Sequence, residues 1–114
     1  MKLDDYSKTA ISTLLGEHDL SKDMSQTLLS QVFGLVGESG EVAEKFKKLI
    51  RDKRGALSKE DKQEILKELG DVLWYINSIS SLLDSSLEEV AQINLDKVLS
   101  RKQRNQTSGS GDNR

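Results

Sequence analysis

Two long apolar runs on helical spacing decide most of what this chain can become. In the first, Leu28, Val32, Leu35, Val42, Phe46 and Leu49 follow alternating steps of four and three, with Ser39 filling the one gap. In the second, Ile65, Leu69, Val72, Ile76, Ile79 and Leu83 repeat the stepping. Such spacing places a stripe along one side of an α-helix, the seam of a bundle or coiled coil. The chain contains no proline that would interrupt either run. The connection at Gly55–Leu57 is short, so the two helices must pack antiparallel.

The remaining elements arrange themselves around this pair. Tyr6, Ala10, Ile11, Leu14 and Leu15 mark a first helix over residues 4–15, followed by a loop, Gly16 to Leu20, that carries the single histidine, His18. Ser21 is the expected N-cap of a second helix over about residues 22–54. That helix ends in a cluster of cations, Lys45 to Arg54, which suits the helix dipole, and stops at Gly55. Ser58 caps a third helix running to about residue 83. Ser86-Leu87-Glu88-Glu89 is a capping box that opens a fourth, ending near residue 104. The expectation is an all-α, four-helix bundle-type domain over residues 1–104, with an antiparallel central pair. Residues 105–114 form a polar, glycine-containing tail that would be disordered if left alone, and Asp112-Asn113-Arg114 is expected to fold over the site or a neighbouring subunit.

Composition narrows the function. With 114 residues, 35 % apolar and 32 % charged, the chain supports one core with wet outer faces, completed by self-association. A net charge of −2 gives no reason to expect nucleic acid as a partner. The absence of cysteine excludes disulfides, thiolate catalysis and zinc–thiolate sites. No apolar run is long enough to span a membrane, and a cytoplasmic protein is expected.

Each seam carries the same motif. Glu38-Ser39-Gly40-Glu41-Val42 is echoed by Glu68-Leu69-Gly70-Asp71-Val72, and each glycine costs a helix interior about 1 kcal/mol relative to alanine. The acids within a copy are three apart, neighbours on one helix face, where like charges repel. Each acid also precedes a seam position by one residue, so both pairs turn to the same hand away from their seams. In an antiparallel hairpin this brings them to one side. Glu38 and Glu41 centre on 39.5, Glu68 and Asp71 on 69.5, and the midpoint, 54.5, falls beside the turn. Four carboxylates should therefore converge at one level.

Four carboxylates together call for a cation, and an all-oxygen set favours Mg2+, with Mn2+ as a substitute, over zinc or copper. A di-iron site would need Glu-x-x-His motifs, which the chain lacks. Mg2+ held this way completes its coordination with water and phosphate. Asn94, Lys97 and Arg101, on one face of the fourth helix, are suited to hold that phosphate. Plainer readings compete: Lys97 and Arg101 as a solvated helix end, Glu44 as an ordinary partner for Lys48, and Trp74 and Tyr75 as core or subunit interface. Gly34-x-x-Gly37-x-x-Gly40 matches no phosphate-loop pattern and suggests close helix approach or room for a ligand.

The combined motif resembles the signature of the MazG-like, all-α nucleoside triphosphate pyrophosphohydrolases over about residues 25–104. The ending, Gly109-Ser110-Gly111-Asp112-Asn113-Arg114, is similar to the tails of short bacterial and phage-type members. The resemblance implies hydrolysis of a (deoxy)nucleoside triphosphate to monophosphate and pyrophosphate, a nucleotide-pool house-cleaning activity, in a homodimer or homotetramer. Carried over, Glu38, Glu41, Glu68 and Asp71 become Mg2+ ligands, with Glu38 or Glu41 orienting or deprotonating the attacking water. Lys97, Arg101, Asn94 and Tyr75 would bind phosphate oxygens. Trp74, Gln31 and Asn77 are candidates for the base pocket. The rival expectation is a non-catalytic, oligomeric helical interaction module whose acids meet a basic partner.

Overall fold

In the computed structural model, which describes residues 1–15 and 25–112, three of the four helices begin at a serine. The Ser25 hydroxyl accepts from Leu28 N at 3.0 Å and opens α2, Gln26–Lys53. Ser58 opens α3, Lys59–Leu82, with a reciprocal box: its hydroxyl accepts from Asp61 N, and the Asp61 carboxylate accepts from Ser58 N, both at 3.0 Å. Ser86 opens α4, Leu87–Gln103, accepting from Glu89 N at 3.1 Å. The other half of the expected box at α4 is replaced, because the Glu89 carboxylate accepts from the Ser85 hydroxyl instead. Each such cap contributes about 1 kcal/mol. His18 and Ser21 lie outside the described residues.

The first helix, α1, is Leu3–Ile11, shorter than the apolar pattern predicts. Ser12 and Thr13 turn their hydroxyls back onto the carbonyls of Thr9 and Ala10. Such bonds give the backbone a local alternative to the next helical turn. The second helix stops as its sequence predicts: Arg54 and Gly55 are both left-handed, and Gly55 N closes on Leu49 O at 3.0 Å.

Helices α2 and α3 form the antiparallel hairpin. Its register is explicit, for Gln31 bonds Ser78, Gly34 meets Tyr75 and Lys45 approaches Glu64. Each of these pairs is centred on position 54.5, the midpoint the two acidic motifs share.

Helix α1 lies on α3 and α4, pinned to α3 by Asn77. The Asn77 side chain, 2 % exposed, accepts from the Ser7 hydroxyl and donates to Ser7 O at 3.0 Å. Trp74 Nε1 adds a second tie, donating to Thr13 Oγ1 at 2.9 Å.

The bundle is open. Helix α4 packs on α1 and α3, whereas α2 packs on α3 alone. The radius of gyration is 17.1 Å, against about 13 Å for a compact domain of this length. Among the described residues the buried apolar core is thin: Ala10, Leu14, Leu49, Ile65, Leu82 and Leu87. Val32 and Phe46, expected in the α2 seam, are exposed, because one neighbour cannot cover so wide a stripe, and Leu69 and Leu83 of the α3 seam are exposed as well. Phe33, Val36 and Ile50 stand out further still, at 71, 67 and 69 % exposure. No described helix is long and apolar enough to cross a membrane.

Candidate functional site

The hairpin register delivers three of the four expected carboxylates to one place. Glu38 on α2 and Glu68 and Asp71 on α3 each offer an oxygen, and these oxygens all lie within 4.8 Å of one another. Glu38 and Glu68 are half-buried and Asp71 is exposed. Glu41, one turn further along α2, faces solvent and stays outside that group. It still contributes to the field there. Partial burial, then the charges of Asp71, Glu68 and Glu41, raise the Glu38 pKa above the ordinary glutamate value.

Among the described residues, Lys45 is the cation paired with these acids. Lys45 Nζ lies 3.9 Å from Glu68 and 4.0 Å from Glu64. Lys45 follows Glu41 by one turn and reaches across the hairpin, a pairing the sequence does not announce because it depends on register. The donor set fits a hard divalent cation. Three carboxylate oxygens at this separation need only small side-chain movements to meet around an ion with about 2.1 Å bonds, and octahedral coordination leaves positions for water and phosphate.

Beside the acids, α1 and α3 enclose an open hollow of about 410 Å3, lined by Met1, Asp5, Tyr6, Thr9, Ala10, Thr13 and Trp74. Tyr6 links hollow and acids: burial first, then the charge of Asp71, raises its pKa. The Trp74 indole N–H is engaged by Thr13, so what it offers a ligand is its ring. Among the residues assigned to a base pocket, only Trp74 stands at this hollow. Gln31 is buried, its carbonyl oxygen accepting from the Ser78 hydroxyl at 2.8 Å. Asn77 has both amide groups bonded to Ser7. These two hold the fold together, and their polar atoms are occupied. The contribution of α1 was missed in the sequence, where Tyr6 reads only as part of an apolar stripe.

The expected phosphate contacts are engaged elsewhere or exposed. Tyr75 packs its ring on Gly34 and meets Trp74 edge to face at 5.0 Å between centroids. Asn94 is exposed. Lys97 and Arg101 make their contacts with the C-terminal segment, Lys97 with Asp112 at 3.1 Å and Arg101 with Gly111 and Asp112. No ion pair or hydrogen bond among the described residues joins them to the acids. Gly37, Gly40 and Gly70 face open space, so close helix approach applies to Gly34 alone.

The profile of the MazG nucleotide pyrophosphohydrolase domain matches residues 26–105, the span holding both acidic motifs. The chain belongs to the MazG family. It is also 44 % identical over 108 residues to the Gene 37 protein of Mycobacterium phage L5, covering 95 % of this chain and 91 % of that one. No solved structure matches it significantly. Family membership supports a nucleotide pyrophosphohydrolase, and it falls on the stretch where the hairpin gathers its carboxylates.

Proposed function

We propose that the protein hydrolyses (deoxy)nucleoside triphosphates to nucleoside monophosphate and pyrophosphate with Mg2+, as a nucleotide-pool enzyme. The observation that carries this is the convergence of Glu38, Glu68 and Asp71 inside the family-matched hairpin. These three would hold the ion. Bound Mg2+, or Mn2+ in its place, supplies an activated water and neutralises charge on the phosphoryl oxygens. Glu41, solvent-facing and one turn from Glu38, would orient or deprotonate the attacking water. The hollow between α1 and Trp74 receives the base and sugar, with the indole ring as a stacking face. The exposed Phe33, Val36 and Ile50 support assembly into a homodimer or homotetramer, which would cover the free side of α2.

The test is pyrophosphate release from a panel of ribo- and deoxynucleoside triphosphates, with and without Mg2+, for wild type, Glu68→Gln and Trp74→Ala. Metal-dependent turnover, lost in Glu68→Gln and raised in KM by Trp74→Ala, is the expected result. Folded wild-type protein that neither binds Mg2+ nor turns over any nucleotide would instead favour the interaction module.

A further inference from the structure

The chain beyond α4 turns back on that helix. Asn105, Gly109 and Gly111 are left-handed, with φ of 56, 120 and 84°. The reversal sets the carbonyl oxygens of Gly111 and Asp112 at 3.2 and 2.8 Å from Nη2 of Arg101. It also brings the Asp112 carboxylate to 3.1 Å from Lys97 Nζ and 3.5 Å from the same Arg101 nitrogen.

The two cations are held differently. Arg101 is 7 % exposed, and its buried Nε has no partner among the described residues. A buried guanidinium needs compensating acceptors, and the tail backbone supplies two. Arg101 is thus engaged by its own chain. Lys97 is one-third exposed and its partner Asp112 is 82 % exposed. Exposed ion pairs are weak and exchange readily. Lys97, chiefly, keeps the Asp112 carboxyl below its ordinary pKa.

We propose that the tail is a built-in competitor. Arg101 is a positioning residue that anchors the Gly111–Asp112 backbone, and the Asp112 carboxylate stands on Lys97 where a phosphate group of the ligand binds. A phosphate-bearing ligand enters by displacing Asp112 from Lys97 while the Arg101 anchor stays closed. That the ligand is a nucleoside triphosphate or its pyrophosphate product rests on the hydrolase reading; the anion site and its competitor do not. An intramolecular carboxylate that occupies its site most of the time weakens the apparent affinity of a rival by the fraction of time the site is free, here about three- to tenfold.

The experiment is calorimetric titration of the full-length protein with pyrophosphate, without metal and at low ionic strength, so that no turnover is needed. Asp112→Asn should bind pyrophosphate about three- to tenfold more tightly than wild type, and Lys97→Gln at least tenfold more weakly. Position 112 is exposed, so neither folding nor core packing is at stake. Unchanged or weaker binding in Asp112→Asn overturns the competitor, and unchanged binding in Lys97→Gln overturns the site. Arg101→Lys should speed hydrogen exchange at the Gly109–Asp112 amides and move pyrophosphate affinity toward that of Asp112→Asn; slow exchange retained would overturn the anchor. Tightening in Asp112→Asn alongside a wild type that hydrolyses no nucleotide keeps the competitor and discards the hydrolase.

Discussion

Tyr75 lies directly on the backbone of Gly34: a methyl group at position 34 would overlap ring atoms Cδ1, Cε1 and Cζ. The ring also meets Trp74 edge to face, so displacing it disturbs a second contact. Gly34→Ala should therefore lose stability. Overpacking costs about 1–3 kcal/mol, only partly offset by about 1 kcal/mol of helix propensity. Gly37→Ala and Gly70→Ala meet open space and should gain about 0.5–1 kcal/mol each. Urea unfolding of the three variants checks the contrast. If Gly70 leaves room for substrate, Gly70→Ala should be the more stable protein and the poorer catalyst.

The turn end of the hairpin makes an acid-stability prediction. Asp61 has its pKa lowered from 3.8 to about 2 by the Lys53 hydrogen bond, with the Ser58 backbone and hydroxyl adding to it. A folded-state value below the unfolded one stabilises the fold above about pH 4, and this contribution is lost as pH falls toward 2. Wild type should lose stability across that window, and Asp61→Asn should show a shallower loss. Denaturation midpoints between pH 5 and 2 decide it.

Lys45 should compete with the divalent ion. Its ammonium is the cation closest to Glu68 in the hairpin, and it must yield part of that position when Mg2+ arrives. Lys45→Met should bind Mg2+ roughly two- to fivefold more tightly, the range expected for removing a partly exposed pair. Isothermal titration with Mg2+ measures this, and Glu68→Gln should reverse the gain.

The join between α1 and α3 is concentrated in Asn77. Asn77→Ala strands the Ser7 hydroxyl and carbonyl and should cost about 2 kcal/mol. Hydrogen exchange should locate the loss in α1 first. Base binding should weaken with it, since four of the seven residues lining the hollow beside Trp74 belong to α1.

Sequence periodicity was enough to place the hairpin and to bring Glu38, Glu68 and Asp71 together, because register follows from where Gly55 ends one helix and Ser58 starts the next. It did not separate Glu41 from the others, since a rotation shared by both acids of a motif says nothing about how far each is from the partner helix. Gln31 and Asn77 look like free amides in a sequence; their engagement with Ser78 and Ser7 depends on which helices neighbour one another. The expected Glu44–Lys48 pair is replaced by Glu44–Lys47 at 3.7 Å, a choice between adjacent turns that spacing leaves open. The contacts of the tail with Lys97 and Arg101 rest on left-handed residues after α4, invisible to a pattern built on helical repeats.

The shared centre of the hairpin also limits how such a chain can change length. One residue added within α2 between Glu41 and Lys53 would swing Glu38 about 100° around its axis and carry it away from Asp71. The same residue added between Arg54 and Leu57 would leave every facing pair where it is. Natural variation in length should accumulate at the turn and be absent from the two helical arms that run from it to the acids.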